Sequence, residues 1–406
     1  MVRLASLPRR PSALVAALAI GLLAPLLANA AAGAALASPV NLWGPSFMER
    51  APEPTRAEAL ALAGRTDLII AKAATYAGFV EPMRAVNPRL RLLAYLNGTM
   101  ADDKFGSAFP ASWYVRTATG EQVRTVKYGN FMMDPREPGW IASRVAECQS
   151  LLASSGYSGC ALDVLGVTPV APPYGFVTGP PIDSQTGTIW TQADWLRATT
   201  ALADSVRTAV RPALLWGNGI GNGTRYAQPG SPTAWLFGGT DGMIAEGLLR
   251  SGRAPIGDVP TYDEWKSDLD MVIDAEARGR HLAVDTKVWT EGTDQEKDRW
   301  HAFSLGTYLL GTKGAGGTVR YVFLRDEKEA TTVDHPWWHL PLGQPKAPAK
   351  QRANGIWERR FDGGRVLVNP SPTAVSVRLP GSFISLSGAV VTRVVLAPYS
   401  GELLSA

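Results

Sequence analysis

Cysteine and histidine are scarce. The chain of 406 residues holds two cysteines, Cys148 and Cys160, and four histidines. Two thiols cannot build a thiolate zinc site or a disulfide scaffold; in an exported chain they leave one open question, whether they pair with each other. No G-x-S-x-G occurs, so a serine nucleophile on a strand-to-helix elbow has no support. His335 and His339 in "HPWWH" have i, i+4 spacing, but Pro336 and the loop setting spoil a helical metal pair, and the segment reads as a loop packing on the fold. "GNGIGNG" does not lead into a helix as a phosphate loop does. The expectation is an activity without metal or cofactor.

Excess charge is missing too. Lys and Arg number 40 against 36 Asp and Glu, and three of the cations, Arg3, Arg9 and Arg10, stand in the acid-free opening "MVRLASLPRR". Without them the balance is 37 to 36, with no basic stripe that would call for nucleic acid or an anionic membrane. The opening runs into "ALVAALAIGLLAPLLANA", an apolar stretch ending in small residues: a secretory signal, not a membrane span. Two A-x-A sites, ending at Ala30 and Ala37, compete for cleavage, and no Cys follows either. Residues 1–37 are therefore expected to be removed, giving a secreted, monomeric protein with no membrane attachment.

What remains, about 370 residues, exceeds one ordinary core and suggests a large barrel with a small accessory domain. Eight apolar runs recur: "NLWG" at 41, "DLIIAKA" at 67, "LRLLAYLNG" at 90, "GCALDVLG" at 159, "ALLWGNG" at 213, "GMIAEG" at 242, "HLAVDTKVW" at 281 and "TVRYVFL" at 318. Such near-continuous runs suit parallel strands buried on both faces. Between them lie helical patterns. In "MDPREPGWIASRVAECQSLLASSG", Asp134 reads as N-cap, Pro135 as the first helical residue, Glu137 as the partner in a capping box and Gly156 as the stop. "TQADWLRATTALADSVRTAV" and "TYDEWKSDLDMVIDAEARG" carry apolar stripes at three- and four-residue spacing. Alternating β and α units predict an α/β fold, a (β/α)8 TIM barrel over 41–345. The short β-type runs of 346–406, split by Gly-Gly, Asn-Pro and Pro-Gly, predict a C-terminal antiparallel, sandwich-like β domain.

In such a barrel chemistry gathers at the carboxyl ends of the strands. A carboxylate inside an apolar run is costly unless paired or solvated, so Asp163 in "GCALDVLG" needs a reason. With Asp163 inward, Ala161 is inward and Cys160 and Leu162 face the helices, and the same alternation turns Glu246, Asp285 and Lys287 inward. Lys72 ends its run, Tyr95 and Asn97 share a face, and so do Trp216 and Asn218. Two carboxylates at one mouth are what glycosidic hydrolysis needs: an acid for the leaving oxygen, and a carboxylate that attacks or activates water. Asp163 and Glu246 are the expected catalytic pair. Trp43, Lys72, Tyr95, Asn97, Trp216, Asn218, Asp285 and Lys287 are the expected sugar-binding set, with aromatics stacking on rings and polar groups holding hydroxyls. Backbones two strands apart are roughly 10 Å distant, which leaves both stereochemical outcomes open.

Other readings stay in view: Asp285 as a catalytic partner beside Glu246, Lys72 as a Schiff-base lysine, and a non-catalytic carbohydrate-binding barrel. Asn97 and Asn222 head N-x-T sequons, yet both follow strands at the barrel mouth, where turn chemistry or substrate contact is the simpler role.

"GYSGCALDVLG", "DGMIAEGLL" and "HLAVDTKV", in that order, with "RLLAYLNGT" and "GNFMMDPREPGW" upstream, resemble the glycoside-hydrolase TIM barrels near the α-galactosidase superfamily, in particular hypothetical glycosyl hydrolase family 15. "LPLGQP" followed by "WERRFDGGRVLVNPS" is similar to the barrel-to-β junction of such enzymes. The resemblance implies Asp163 on the fourth strand as nucleophile and Glu246 on the sixth as acid/base, where related α-galactosidases usually carry Asp.

Overall fold

All eight apolar runs become strands of one closed parallel barrel: β1 Leu42–Gly44, β2 Thr66–Ala71, β3 Arg91–Asn97, β4 Gly159–Asp163, β5 Leu214–Asn218, β6 Gly242–Glu246, β7 Leu282–Lys287 and β8 Val319–Leu324. The computed structural model describes residues 36–48, 53–101, 105–126, 128–171, 175–328, 331 and 333–406, so the expected secretory signal of residues 1–37 lies, but for its last two residues, outside the described residues. Neighbours in sequence are neighbours in the barrel, and Leu42 opposite Tyr321 closes the circle. Leu, Ile and Val dominate the strands because one face fills the interior and the other meets the helices.

The outer helices begin where the sequence supplies caps. α1 (Arg56–Arg65), α5 (Tyr262–Ala277) and α6 (Asp294–Gly311) each open on a full T-x-x-E capping box, from Thr55, Thr261 and Thr293. α2 is Val80–Val86, and α4 (Gln192–Val210) is capped by Thr191. α3 (Pro138–Ser155) corrects one expectation: its N-cap is Glu137, not Asp134. Pro138 keeps the residue before it out of the helical region, so the helix starts after Glu137, whose side chain accepts from the Gly139 N–H at 3.3 Å. Asp134 instead closes a turn, accepting from the Arg136 N–H at 2.9 Å. Gly156 stops α3 in the left-handed conformation, as expected.

The helical layer is uneven. Between β5 and β6 stand only a short helix, Gly223–Tyr226, and a 3-10 stretch, Thr233–Gly238. After β8 a 3-10 turn, Pro336–His339, leads to the C-terminal strands. The two cysteines are bonded: Cys148 on α3 joins Cys160 on β4 with Cα atoms 6.0 Å apart. The bridge ties a helix to the strand that carries Asp163.

The C-terminal strands are β9 Lys350–Gln351, β10 Trp357–Phe361, β11 Gly364–Asn369, β12 Val375–Ile384, β13 Val390–Leu396 and β14 Ser400–Ser405, one antiparallel sheet in the order β9-β10-β11-β14-β12-β13. Asp362-Gly363 makes the two-residue hairpin between β10 and β11. The layer against which this sheet packs is α6. Gly401 has no room for a side chain, since a Cβ there would stand 2.1 Å from the Ala302 carbonyl, and Val368 fits against Gly306. α6 is accordingly buried on every side from Trp300 to Gly311, with the barrel on one flank and the sheet on the other.

Candidate active site

Each strand rises about 3.3 Å per residue, so inward side chains two residues apart sit at different depths. At the carboxyl ends, Asp163 closes β4, Asn218 closes β5, Glu246 closes β6 and Lys287 closes β7, with Tyr95 two residues from the end of β3. These five side chains form one hydrogen-bonded network.

Asp163 accepts from the Tyr95 hydroxyl at 2.6 Å, from Asn218 Nδ2 at 2.8 Å and from the Val164 N–H at 2.7 Å. Burial, and then the charge on Glu246, push its carboxyl up to about 6, against the pull of those three donors. Val164 adopts φ 60°, a left-handed conformation that costs a β-branched residue about 1–3 kcal/mol. The turn is held from both sides. The Gly98 N–H donates to the Asp163 carbonyl at 2.9 Å, Thr99 Oγ1 to the Val164 carbonyl at 2.6 Å, and the Leu165 N–H to the Asn218 carbonyl at 2.8 Å. The strain places the Val164 N–H where it can hold the carboxylate that precedes it.

Glu246 accepts from the same amide, Asn218 Nδ2 to Oε1 at 2.6 Å, and from Lys287 Nζ to Oε2 at 3.0 Å. Both amide contacts leave one nitrogen, so the two oxygens they join are at most 5.4 Å apart, the 2.8 and 2.6 Å laid end to end. Lys287 also lies 3.4 Å from Asp285 Oδ1 and 5.1 Å from the centre of the Trp289 ring. Burial works against its charge, but the carboxylates of Asp285 and Glu246 outweigh it and hold the ammonium above the ordinary lysine range. Asp285 is sealed from solvent at 0 % exposure, and neither of its oxygens accepts a hydrogen bond among the described residues. Burial pushes it up to about 7, with Lys287 opposing and Glu246 adding. The Tyr95 ring stacks on Phe47, 4.8 Å between centres and 13° between planes, which fixes the phenol over Asp163.

The expected residues thus divide. Asp163, Glu246, Tyr95, Asn218, Asp285 and Lys287 come together; Trp43, Lys72 and Trp216 do not, and Asn97, in register beside Asp163, is spent on a turn. Trp216 is corrected from sugar platform to barrel floor: its ring covers Gly242 at the start of β6, near His281 and the Arg320 guanidinium at the amino ends of β7 and β8. Trp43 is 1 % exposed, with its indole N–H donated to the Val284 carbonyl at 2.9 Å, so it fills the interior and offers no face to a ligand. β2 ends at Ala71, which leaves Lys72 exposed at the start of a short helical turn. Asn97 spends its side-chain oxygen on the Met100 N–H at 2.9 Å, a turn role, and Asn222 likewise caps Gly223–Tyr226. Asp285 itself is too deep to meet a sugar hydroxyl; it reaches the mouth through Lys287.

Sequence reasoning missed Phe47, Val164 and Asp268. Asp268 interrupts the apolar stripe of α5 formed by Trp265, Leu269 and Val272, a signal that was there to use. Its carboxylate accepts from the Gly223 N–H at 2.6 Å and the Leu249 N–H at 2.8 Å, pinning the loops that follow β5 and β6. Among the described residues no group of three or more His, Cys, Asp or Glu side chains has a metal-holding arrangement.

The profile of hypothetical glycosyl hydrolase family 15 matches residues 84–365. Among solved structures, the noncanonic maltogenic alpha-amylase AmyB from Thermotoga neapolitana aligns with 90% of this chain and 98% of its own, at TM-score 0.51 and 10% identity. The GH36 alpha-galactosidase AgaA from Geobacillus stearothermophilus, solved with stachyose, aligns with 91% of this chain and 56% of its own, at TM-score 0.45 and 10% identity. At such identities the likeness is one of fold. No curated protein matches the sequence significantly. The family match runs over well more than half of the chain and through every polar side chain of the network at the mouth, and the protein belongs to hypothetical glycosyl hydrolase family 15.

Proposed function

We propose that the protein is an exported, retaining glycoside hydrolase that cleaves O-glycosidic bonds of an extracellular oligo- or polysaccharide, with Asp163 as nucleophile and Glu246 as acid and base. One observation carries the reading: a single amide nitrogen, Asn218 Nδ2, bonds both carboxylates and keeps the oxygens it joins within 5.4 Å, its 2.8 and 2.6 Å contacts end to end. That ceiling admits the about 5–5.5 Å of retaining enzymes and falls short of the about 6.5–9.5 Å that inverting enzymes need to place a water between the groups.

The three donors on Asp163 fix one carboxylate face, and at neutral pH the group is ionised and able to attack. In the first step an Asp163 oxygen bonds the anomeric carbon, the glycosidic C–O bond breaks, and the Glu246 proton passes to the leaving oxygen. The ionised Glu246 then takes a proton from water, whose oxygen displaces the Asp163 ester. Because each carboxylate is charged when the other is neutral, the repulsion that raises Asp163 is relieved at each stage. Export is supported by the signal-like opening and by the Cys148–Cys160 bond, a link that persists in oxidising compartments.

Proton NMR of the first anomer released from a panel of aryl glycosides and polysaccharides tests the proposal, with Asp163→Asn and Glu246→Gln in parallel. Retained configuration is expected, with each variant at least about a hundredfold slower. Inverted product refutes the nucleophile. A glycan that binds all three proteins equally and is never cleaved points instead to a carbohydrate-binding barrel.

A further inference from the structure

A retaining cycle asks Glu246 to hold a proton, release it and take one back. Lys287 stands against that: its Nζ is 3.0 Å from Glu246 Oε2, the side chain is nearly buried, and an ammonium in contact favours the ionised carboxylate. Asp285 raises a second difficulty. A carboxylate at 0 % exposure is expensive to keep, and among the described residues the one cation beside it is the Lys287 ammonium at 3.4 Å.

The two difficulties answer one another. From the geometry we infer that Asp285 is a positioning residue that gives the Lys287 ammonium a second partner, freeing Glu246 to carry its proton until the leaving group takes it. The inference rests on Glu246 being the acid and base. Nζ lies between the two carboxylates, 3.0 Å from one and 3.4 Å from the other, so a shift of a fraction of an ångström changes its partner. On this inference the proton sits on Glu246 before the first step and the ammonium on Asp285, whose carboxylate it holds ionised against the burial that raises it. As the proton moves from Glu246 to the leaving oxygen, negative charge grows on Glu246 and the ammonium moves onto it, while Asp163 loses its charge to the new ester bond. The total charge of the site is the same before and after, and no proton reaches Asp285.

The surroundings allow this. Glu246 is faced by Asp163 on β4, the Asn218 amide on β5, Lys287 and Asp285 on β7, and the Tyr95 phenol on β3. Asp285 is faced by Lys287, Glu246 and, from β8, Tyr321. Met48 Sδ at 3.7 Å and the Trp289 ring complete the shell of the ammonium, and neither is a competing anion.

Asp285→Asn leaves the ammonium to Glu246 alone. The basic limb of kcat/KM should then move to lower pH by about one unit or more. The loss should grow with the basicity of the leaving group, about tenfold or more for alkyl glycosides and little for activated aryl glycosides that need no acid. Carboxyl carbon NMR of Glu246 reads the same shift without turnover. In Lys287→Met combined with Asp285→Asn, which guards against a single variant that does not fold, Glu246 should titrate at higher pH than in wild type. An unmoved Glu246 titration, or a loss uniform across leaving groups, overturns the inference while leaving Glu246 as acid and base. A wild type that cleaves no glycoside, with the NMR shifts present, overturns the proposed reaction instead.

Discussion

At the amino ends of the strands, Arg320 meets Asp67 through two contacts, Nε to Oδ1 at 2.6 Å and Nη2 to Oδ2 at 3.0 Å, with the Trp216 ring centre 6.0 Å from its guanidinium. At the carboxyl ends, Asp163, Glu246 and Asp285 share one ammonium and one amide. At the floor this cation has one carboxylate; at the mouth three carboxyl groups stand around one ammonium. A matched pair asks nothing of its surroundings. A mismatched set persists only where packing and backbone enforce it, here through the left-handed turn at Val164 and the sealed Asp285. Polarity at both ends is similar, and the imbalance is what sets the mouth apart.

That contrast can be broken most directly by neutralising the mouth. Asp163→Asn and Glu246→Gln should cut kcat by about a hundredfold or more while the melting temperature holds or rises, because each removes one of the crowded charges. Falling stability with unchanged turnover would place the imbalance in the structural frame. Next in size, removing the disulfide with Cys148→Ala and Cys160→Ala should lower unfolding free energy by about 3 kcal/mol in a denaturant titration, the amount expected for a short closed loop, and reductant should do the same to wild type.

Tyr95→Phe sharpens the comparison through pH. The hydroxyl holds Asp163 down against burial, so its loss should raise the Asp163 titration above its present value of about 6. Activity depends on the ionised form and is lost as pH falls through that value. The acid limb of kcat/KM should therefore move to higher pH by about one unit, with a roughly fivefold loss at pH 6 that approaches tenfold below pH 5. At the other end, Arg320→Met should leave kcat/KM unchanged and cost only about 1 kcal/mol of stability, since the Asp67 side chain is 42% exposed and water screens the pair.

Much of this was legible in the residues. Period-two alternation turns Asp163, Glu246, Asp285 and Lys287 inward, and the strands obey it. The stripe of "TYDEWKSDLDMVIDAEARG" becomes α5, whose T-x-x-E box, like that of α6, was in the residues but went unread. What alternation cannot give is depth. Trp216 and Asn218 share a face, but two residues place them about 6.6 Å apart along the barrel, enough to put one in the floor and the other in the mouth. Lys72 shows the same limit, because a strand that stops two residues before its apolar run does changes where the side chain points. Pro138 was visible, yet its effect on Glu137 competes with a plausible box at Asp134, and the steric rule wins. The ribbon of Met100–Ala101 with Phe131–Met132 has two residues per strand, too few for any periodicity to show.

α6 is buried from Trp300 to Gly311 because the barrel and the C-terminal sheet both claim it. Phe303 meets Tyr399, and Arg359 reaches from the sheet to the Leu309 carbonyl. Such a helix has no surface of its own to show water, so a gene cut between β8 and β9 would encode a barrel with an apolar seam instead of a smaller enzyme. Barrel and sheet therefore make one folding unit, and the sheet is part of the barrel's wall rather than an appendage to it.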